Sequence, residues 1–164
     1  MFDILIVDDE QPARDRLRRL VEAMPDYRVA GEARSGTEAL QRIRELGPQI
    51  VLLDISMPDQ SGVDALAAIR ARAPDLPVLI LSGFAEQHYA TALLRQGASG
   101  YLNKDCDPEE IVKAVRTVAR GRKYISAGVA EQLAEGLISG DKPLHEQLSE
   151  RELQVFLRLA QGET

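Results

Sequence analysis

Along residues 1–121, short apolar runs alternate with stretches whose apolar residues recur three and four positions apart. The first run, "DILIVDD", reads as a strand ending at Asp8. After it Pro12 stands where a helix can begin, because the amide hydrogen that proline lacks has no partner in a first turn. Leu17, Leu20, Val21 and Met24 then share one helical face. "YRVAGEA" is a weaker strand. "SGTE" offers a capping box, Ser35 with Glu38, and Ala39, Leu40, Ile43 and Leu46 make the inner face of the helix it opens. "QIVLLD" is the third strand; four consecutive apolar residues, Ile50 to Leu53, suit a strand covered on both faces. A helix follows through Val63, Leu66, Ala67 and Arg70. "PVLILS" is the fourth strand, with a helix near Gln87–Gln96, and "GYLNK" is a short fifth. Asp107, Pro108 and Glu110 open the next helix as N-cap, first-turn proline and third-position acid, with Ile111, Ala114, Val115 and Val118 facing inward.

Five strand–helix alternations predict an α/β domain with a parallel sheet, helices on both faces and right-handed crossovers. The pattern does not specify the strand order. After Gly121 the rhythm changes. Residues 126–137 predict a helix on Val129, Ala130, Leu133 and Leu137, and "SGDKPLHEQ" reads as a linker. "LSERELQVFLRLAQGET" restarts a helix with a second capping box, Ser149 with Glu152, and an apolar face of Leu153, Phe156, Leu157 and Ala160. A single amphipathic helix cannot bury its own face, so this one is expected to pack on the first domain or to belong to a truncated unit.

Composition narrows the classes. With 45% hydrophobic and 28% charged residues, the chain is ordinary for a globular protein. Its net charge of -6 argues against the whole chain gripping nucleic acid electrostatically. The lone cysteine, Cys106, allows neither an internal disulfide nor a multi-cysteine metal site, which fits a reducing cytosol. "MFDILIVDDE" lacks the basic start of a signal peptide, and no apolar run approaches a membrane span of about 20 residues. A cytoplasmic protein without a membrane partner is the expectation.

The candidate chemistry lies at the strand ends. The first strand ends on Asp8 and Asp9, the third on Asp54, the fourth on Ser82 beside Gly83, and the fifth on Lys104. In a parallel sheet these ends share one edge, where open α/β sheets bind ligands. Taken singly, each is an ordinary residue: the paired acids a helix-dipole feature, Asp54 a turn residue, Ser82 a loop hydroxyl, Lys104 a solvated cation, Tyr101 a core aromatic. Arg14, Arg16, Arg18 and Arg19 read as a solvated helix face, and His88 and His145 as surface residues. Together the strand-end groups predict that three carboxylates, a hydroxyl and an ammonium converge. Three carboxylates in one crevice must take up a proton or share a cation. Mg²⁺ suits them, because it takes one or two carboxylates and leaves room for phosphate oxygens. A carboxylate can also act as a nucleophile and become an aspartyl-phosphate.

At these residues a family resemblance appears. "ILIVDDE", "VLLDISMPDQSG", "LILSG" and "GYLNK" occur in the order found in response-regulator receiver domains, the phospho-accepting half of two-component signalling, and residues 1–121 resemble one. The resemblance implies a flavodoxin-like (βα)5 fold with strand order 2-1-3-4-5. It implies that Asp54 is phosphorylated by a phosphohistidine on a sensor histidine kinase. It further implies that Mg²⁺ is held by Asp9, Asp8, Asp54 and the backbone carbonyl of Ser56. Ser82 and Lys104 would bind the phosphoryl group, Ser82 and Tyr101 would form the switch, and Met57, Pro58, Gly62 and Gly83 would shape the loops. Such a domain is not an enzyme beyond its own phosphoryl transfer and dephosphorylation.

Residues 148–164 resemble the first helix of a LuxR-type helix-turn-helix domain, as in NarL/FixJ regulators, and 122–147 the helical linker before it. On this reading the parent protein is a transcription regulator. Its recognition helix lies beyond Thr164, so this chain is not expected to bind a promoter specifically. An activated homodimer is expected through the face of the helix near Gln87–Gln96, the fifth strand and the following helix, or else through the first helix. Two departures stand out. Asp105 follows the lysine where many receivers have proline, so that bond is expected to be trans, since a cis bond without proline costs about 2.5–4 kcal/mol. Asn103 is polar where an apolar strand residue is usual.

Two other classes use similar parts. A haloacid-dehalogenase-type hydrolase also forms an aspartyl-phosphate, but it wants acids spaced D-x-D after the first strand. Here Asp8 and Asp9 are adjacent, and Asp54-Ile55-Ser56 lacks the second acid. A phosphorylation-independent interaction module on the same fold usually lacks one of the five site groups, all of which are present in this sequence.

Overall fold

A computed structural model describes residues 1–55, 62–82 and 93–125. Five strands, β1 (Phe2–Val7), β2 (Tyr27–Ala33), β3 (Ile50–Asp54), β4 (Val78–Ser82) and β5 (Gly100–Asn103), form one parallel sheet in the order β2-β1-β3-β4-β5. Four helices are described: α1 (Gln11–Glu22), α2 (Gly36–Leu46), α3 (Gly62–Arg72) and α4 (Pro108–Ala119). The alternation read from the sequence is therefore present, and the sheet order is the one the family resemblance implied. Of the helix expected near Gln87–Gln96, residues 93–95 are helical and the rest up to residue 92 lies outside the described residues. The elements predicted for 126–164 also lie outside them.

Side chains alternate across the strands and divide the core in two. Leu5, Val7, Val51, Leu53 and Ile80 pack with Ala39, Leu66 and Ile69 of α2 and α3, and Tyr101 joins this half. Ile4, Ile6, Ile50, Leu52, Leu79 and Leu102 pack with Leu17 and Val21 of α1 and with Ile111, Ala114, Val115 and Val118 of α4. β1, β3 and β4 are covered on both sides, which is why they read as unbroken apolar runs.

The helix ends follow local chemistry, with corrections. The Glu38 amide donates to Ser35 Oγ at 3.1 Å, so Ser35 caps α2 as predicted. Gly47 closes α2 at φ +58°, a left-handed conformation that favours glycine, and its N–H donates to the Ile43 carbonyl at 3.0 Å. On α2, Ala39 is buried, Leu40 and Ile43 pack partly against the core, and Leu46 is exposed rather than inward. α3 buries Ala65, Leu66 and Ile69, while Ala67 is half-buried, so its inner face is rotated from the predicted one. Asp107 holds the N-cap position of α4, yet its side chain makes no capping hydrogen bond. Pro108 and the acids Glu109 and Glu110 still favour that end of the helix. The Lys104–Asp105 bond is trans, no cis peptide being present among the described residues.

Beyond α4 the chain turns back on the sheet, which the sequence reading did not anticipate. The Tyr124 amide donates to the Ser99 carbonyl at 2.8 Å, and Tyr124 forms a parallel bridge with Gly100 at the open edge of β5. A Cβ on Gly100 would stand 3.1 Å from the Tyr124 carbonyl oxygen and 2.8 Å from Leu79 Cδ1. Glycine is what admits this close approach.

Candidate functional site

Parallel pairing brings the ends of β1, β3, β4 and β5 to one edge of the sheet. Asp8 follows β1, Asp54 closes β3, Ser82 closes β4, and Lys104 follows β5. Asp8, Asp54 and Ser82 are 0%, 1% and 0% exposed, so polar groups here are removed from water on a rigid frame. Asp9 is the more open acid. Of the predicted site residues, the structure brings together Asp8, Asp9, Asp54 and Lys104 and places Ser82 on the neighbouring strand. Tyr101 lies within β5, buried in the core. Gly62 begins α3. Ser56, Met57, Pro58 and Gly83 lie outside the described residues.

The geometry is that of a charge cluster. Lys104 Nζ stands 2.8 Å from Asp8 Oδ2 and 3.2 Å from Asp54 Oδ2. Each of Asp8, Asp9 and Asp54 offers a carboxylate oxygen, and these oxygens lie within 4.8 Å of one another. Among the described residues, Lys104 is the cation ion-paired with these acids. Three carboxylates against one ammonium leave an excess of negative charge. Asp9 registers it: burial first, then the neighbouring Asp8 charge, raises its carboxyl above the ordinary carboxylate value. Burial opposes the charged form of Lys104, but the hydrogen bond to Asp8 and the charge of Asp54 outweigh it, and its ammonium is held above the ordinary lysine value.

This donor set fits a hard divalent cation. It is all oxygen, anionic and preformed at strand ends. The backbone around it is tied down. The Glu10 amide donates to Asp8 Oδ1 at 3.0 Å, the Asp8 amide to the Ala33 carbonyl at 3.0 Å, and the Lys104 amide to the Ser82 carbonyl at 2.7 Å. Asn103, the polar departure noted in the sequence, shapes the next turn: its Oδ1 accepts the Asp105 amide at 2.8 Å. A polar residue at the end of β5 thus fixes the loop that carries Lys104.

One contributor was missed from sequence. Arg14 is buried, 5% exposed, rather than part of a solvated face. Its Nη1 donates to the Asp8 carbonyl at 2.7 Å and its Nε to Glu32 Oε1 at 3.1 Å. Its place three positions before Leu17 and seven before Val21, both on the predicted inner face, was the available signal. Cys106 is half-buried; burial, then the Glu110 and Asp107 charges, push its thiol up, away from the reactive thiolate. No helix among the described residues is long and apolar enough to cross a membrane.

Comparison with known proteins agrees with this arrangement. Residues 4–116 match the response regulator receiver domain family. The chain is 34% identical over 165 residues to the response regulator UvrY of Escherichia coli (strain K12), covering 99% of this chain and 76% of that protein. It is 37% identical over 161 residues to the response regulator GacA of Pseudomonas protegens, covering 97% of this chain and 75% of that protein. Among solved structures, it is similar to a two-component response regulator of the LuxR family from Aurantimonas sp. SI85-9A1, with TM-score 0.78, 34% identity, and coverage of 84% of this chain and 99% of that one. It is also similar to the signal receiver domain of the putative response regulator NarL from Mycobacterium tuberculosis, with TM-score 0.68, 36% identity, and coverage of 74% and 98%.

Proposed function

The chain belongs to the response regulator receiver family and is a two-component response regulator, and on that premise we propose that Asp54 accepts a phosphoryl group from a phosphohistidine of a sensor histidine kinase. The observation that carries this reading is the meeting of Asp8, Asp9 and Asp54 with Lys104 at the strand ends. An Asp54 carboxylate oxygen attacks phosphorus, the phosphorus–nitrogen bond breaks, and the electron pair leaves with the imidazole. Lys104 and Ser82 bind the transferred oxygens. Asp8, Asp9, Asp54 and the Ser56 carbonyl would hold Mg²⁺. When bound, that ion supplies positive charge to the carboxylates and to the phosphoryl oxygens.

Phosphorylation would act as a switch. Hydrogen bonds to charged groups contribute about 1.5–3 kcal/mol each, so Lys104 and Ser82 together supply about 3–6 kcal/mol. Moving an equilibrium from 1:99 to 99:1 takes about 5.5 kcal/mol, which these two contacts can approach. Tyr101 on β5 would follow Ser82 and alter the face of β5 and α4, where an activated homodimer would form. A groove of about 490 Å³ between α1 and the start of α4, lined by Arg16, Leu17, Leu20, Lys104, Cys106 and Ile111, lies beside the reactive edge. It suits the helix that carries the phosphohistidine. Residues 1–121 would be the receiver, 122–147 the linker and 148–164 the start of a LuxR-type DNA-binding domain through which transcription is controlled. A cytoplasmic location follows from this partnership.

The test is intact mass after incubation with a small acyl-phosphate donor, with and without Mg²⁺. One Mg²⁺-dependent phosphoryl adduct on the native chain, absent from Asp54→Asn, is the expected result. No adduct under any condition would overturn the reading in favour of a phosphorylation-independent module.

A further inference from the structure

Arg14 lies outside the strand-end cluster, yet it touches the main chain that aims two of the acids. Its side chain is 7% exposed and reaches three acceptors: the Asp8 carbonyl at 2.7 Å, Glu32 Oε1 at 3.1 Å and Gln11 Oε1 at 2.6 Å. Glu32 sits on β2 opposite Ile6 of β1, and Arg18 Nε holds its other oxygen at 2.9 Å. One half-buried carboxylate is thus gripped by two arginines from α1, and of the two Arg14 reaches on to Asp8.

We propose that Arg14 is a positioning residue for the divalent-cation site: oriented by Glu32, its guanidinium fixes the Asp8–Asp9 peptide so that both carboxylates converge with Asp54. The proposal rests on the reading of that cluster as a cation site. The carbonyl of Asp8 belongs to the peptide that leads into Asp9, so a hydrogen bond to it sets the direction of both side chains. The Asp8 amide and Asp8 Oδ1 are tied elsewhere, to the Ala33 carbonyl and the Glu10 amide. The Asp8 carbonyl is the remaining hinge of the turn, and Arg14 locks it. The planar fork also matters, because a guanidinium can serve a carbonyl and a carboxylate at fixed angles where an ammonium serves as a point charge. Groups that orient a ligand without touching the ion typically change metal affinity 10–100-fold when removed.

The experiment is calorimetric titration of the folded full chain with Mg²⁺ alone, for the native protein and for Arg14→Met, Arg14→Lys and Arg18→Met. Arg18 shares Glu32 but does not touch Asp8, so it controls for loss of the ion pair itself. Arg14→Met is expected to bind at least 10-fold more weakly, with Arg14→Lys recovering only part of the loss and Arg18→Met staying within about twofold of native. Should Arg14→Met fail to fold, Arg14→Lys, which keeps the charge, decides the question: binding weaker than that of Arg18→Met supports the role, and native-like binding overturns it. Native-like affinity in a folded Arg14 variant would overturn the positioning role while leaving the cation site intact. A native chain that binds no Mg²⁺ would overturn the site and this role together.

Discussion

The main-chain amide of Lys104 donates to the main-chain carbonyl of Ser82 at 2.7 Å. The two residues proposed to bind the phosphoryl group are therefore linked through their backbones at the ends of neighbouring strands. A displacement of one is transmitted to the other without any side-chain relay. At the same time, the Lys104 ammonium is the counter-charge of two buried carboxylates. It pairs with two of the three carboxylates that a divalent cation would share.

That competition makes Lys104→Met informative. Breaking a buried ion pair by removing one partner costs about 3–5 kcal/mol when the pair is fully enclosed. The Lys104 side chain is 15% exposed, so solvent screening reduces the expected loss to about 1–3 kcal/mol. Urea unfolding should show this loss without Mg²⁺. Saturating Mg²⁺ should then stabilise the variant more than the native chain, because the ion no longer competes with the ammonium. An equal response of the two proteins would show that Lys104 and the cation do not share the site.

The raised carboxyl of Asp9 gives a pH-dependent test. Its folded value lies above the ordinary 3.8, through burial first and the Asp8 charge second. A carboxyl raised on folding adds stability below its unfolded pKa and loses it as pH rises through the folded value. At neutral pH without divalent ions, Asp9→Asn should accordingly be more stable than the native chain. The difference should shrink as pH falls through the folded value towards about 4, below which Asp9 is protonated in both states. Mg²⁺ should reverse the order at neutral pH by stabilising only the protein that retains Asp9. Denaturant midpoints at two pH values, with and without Mg²⁺, check all three statements.

Phosphorylation should also change the assembly. Sedimentation of the chain with a small acyl-phosphate donor and Mg²⁺ is expected to show a larger species than without the donor, and Asp54→Asn should remain as the untreated protein does. A fully phosphorylated chain that stays monomeric at high concentration would count against both the face that includes β5 and α4 and the face of α1 as dimer contacts.

The strands and their terminal acids were legible because parallel strands buried on both faces leave continuous apolar runs, and such runs must end where polar groups meet the sheet edge. α4 was legible to the residue: Ile111, Ala114, Val115 and Val118 are its buried positions. Arg14 was not, because an arginine on an amphipathic helix reads as solvated. Its burial depends on Glu32, which lies 18 positions away on an edge strand. Leu46 misled in the opposite sense, since an apolar residue in the last turn fits the stripe whether or not a neighbour covers it. The Asp107 side chain was credited with a cap on position and residue type alone. The return of the chain at Tyr124 left no periodic signal, because one bridging residue makes no pattern.

Tyr124 carries the last prediction. Its hydroxyl donates to Glu110 Oε1 at 3.1 Å, so it joins the segment after α4 to the first turn of that helix. Burial first, then this hydrogen bond and the Glu110 charge, push the phenol up to about 12. For an acid raised on folding, the stabilisation is complete below the unfolded value, about 10 for tyrosine, and is lost as pH climbs from there through about 12. Tyrosinate absorbance should therefore show a late-titrating group in the native chain that Tyr124→Phe lacks. Because the site is only half-buried and solvent screens it, the variant should lose about 1 kcal/mol at neutral pH, below the about 1.5–3 kcal/mol of a well-buried hydrogen bond to a charged group. The loss should be accompanied by faster hydrogen exchange at the Tyr124 amide, which the bridge to Gly100 and the Ser99 carbonyl otherwise protects. A variant that keeps both the late-titrating group and the amide protection would show that the hydroxyl does not anchor this return, and that the backbone bridge suffices.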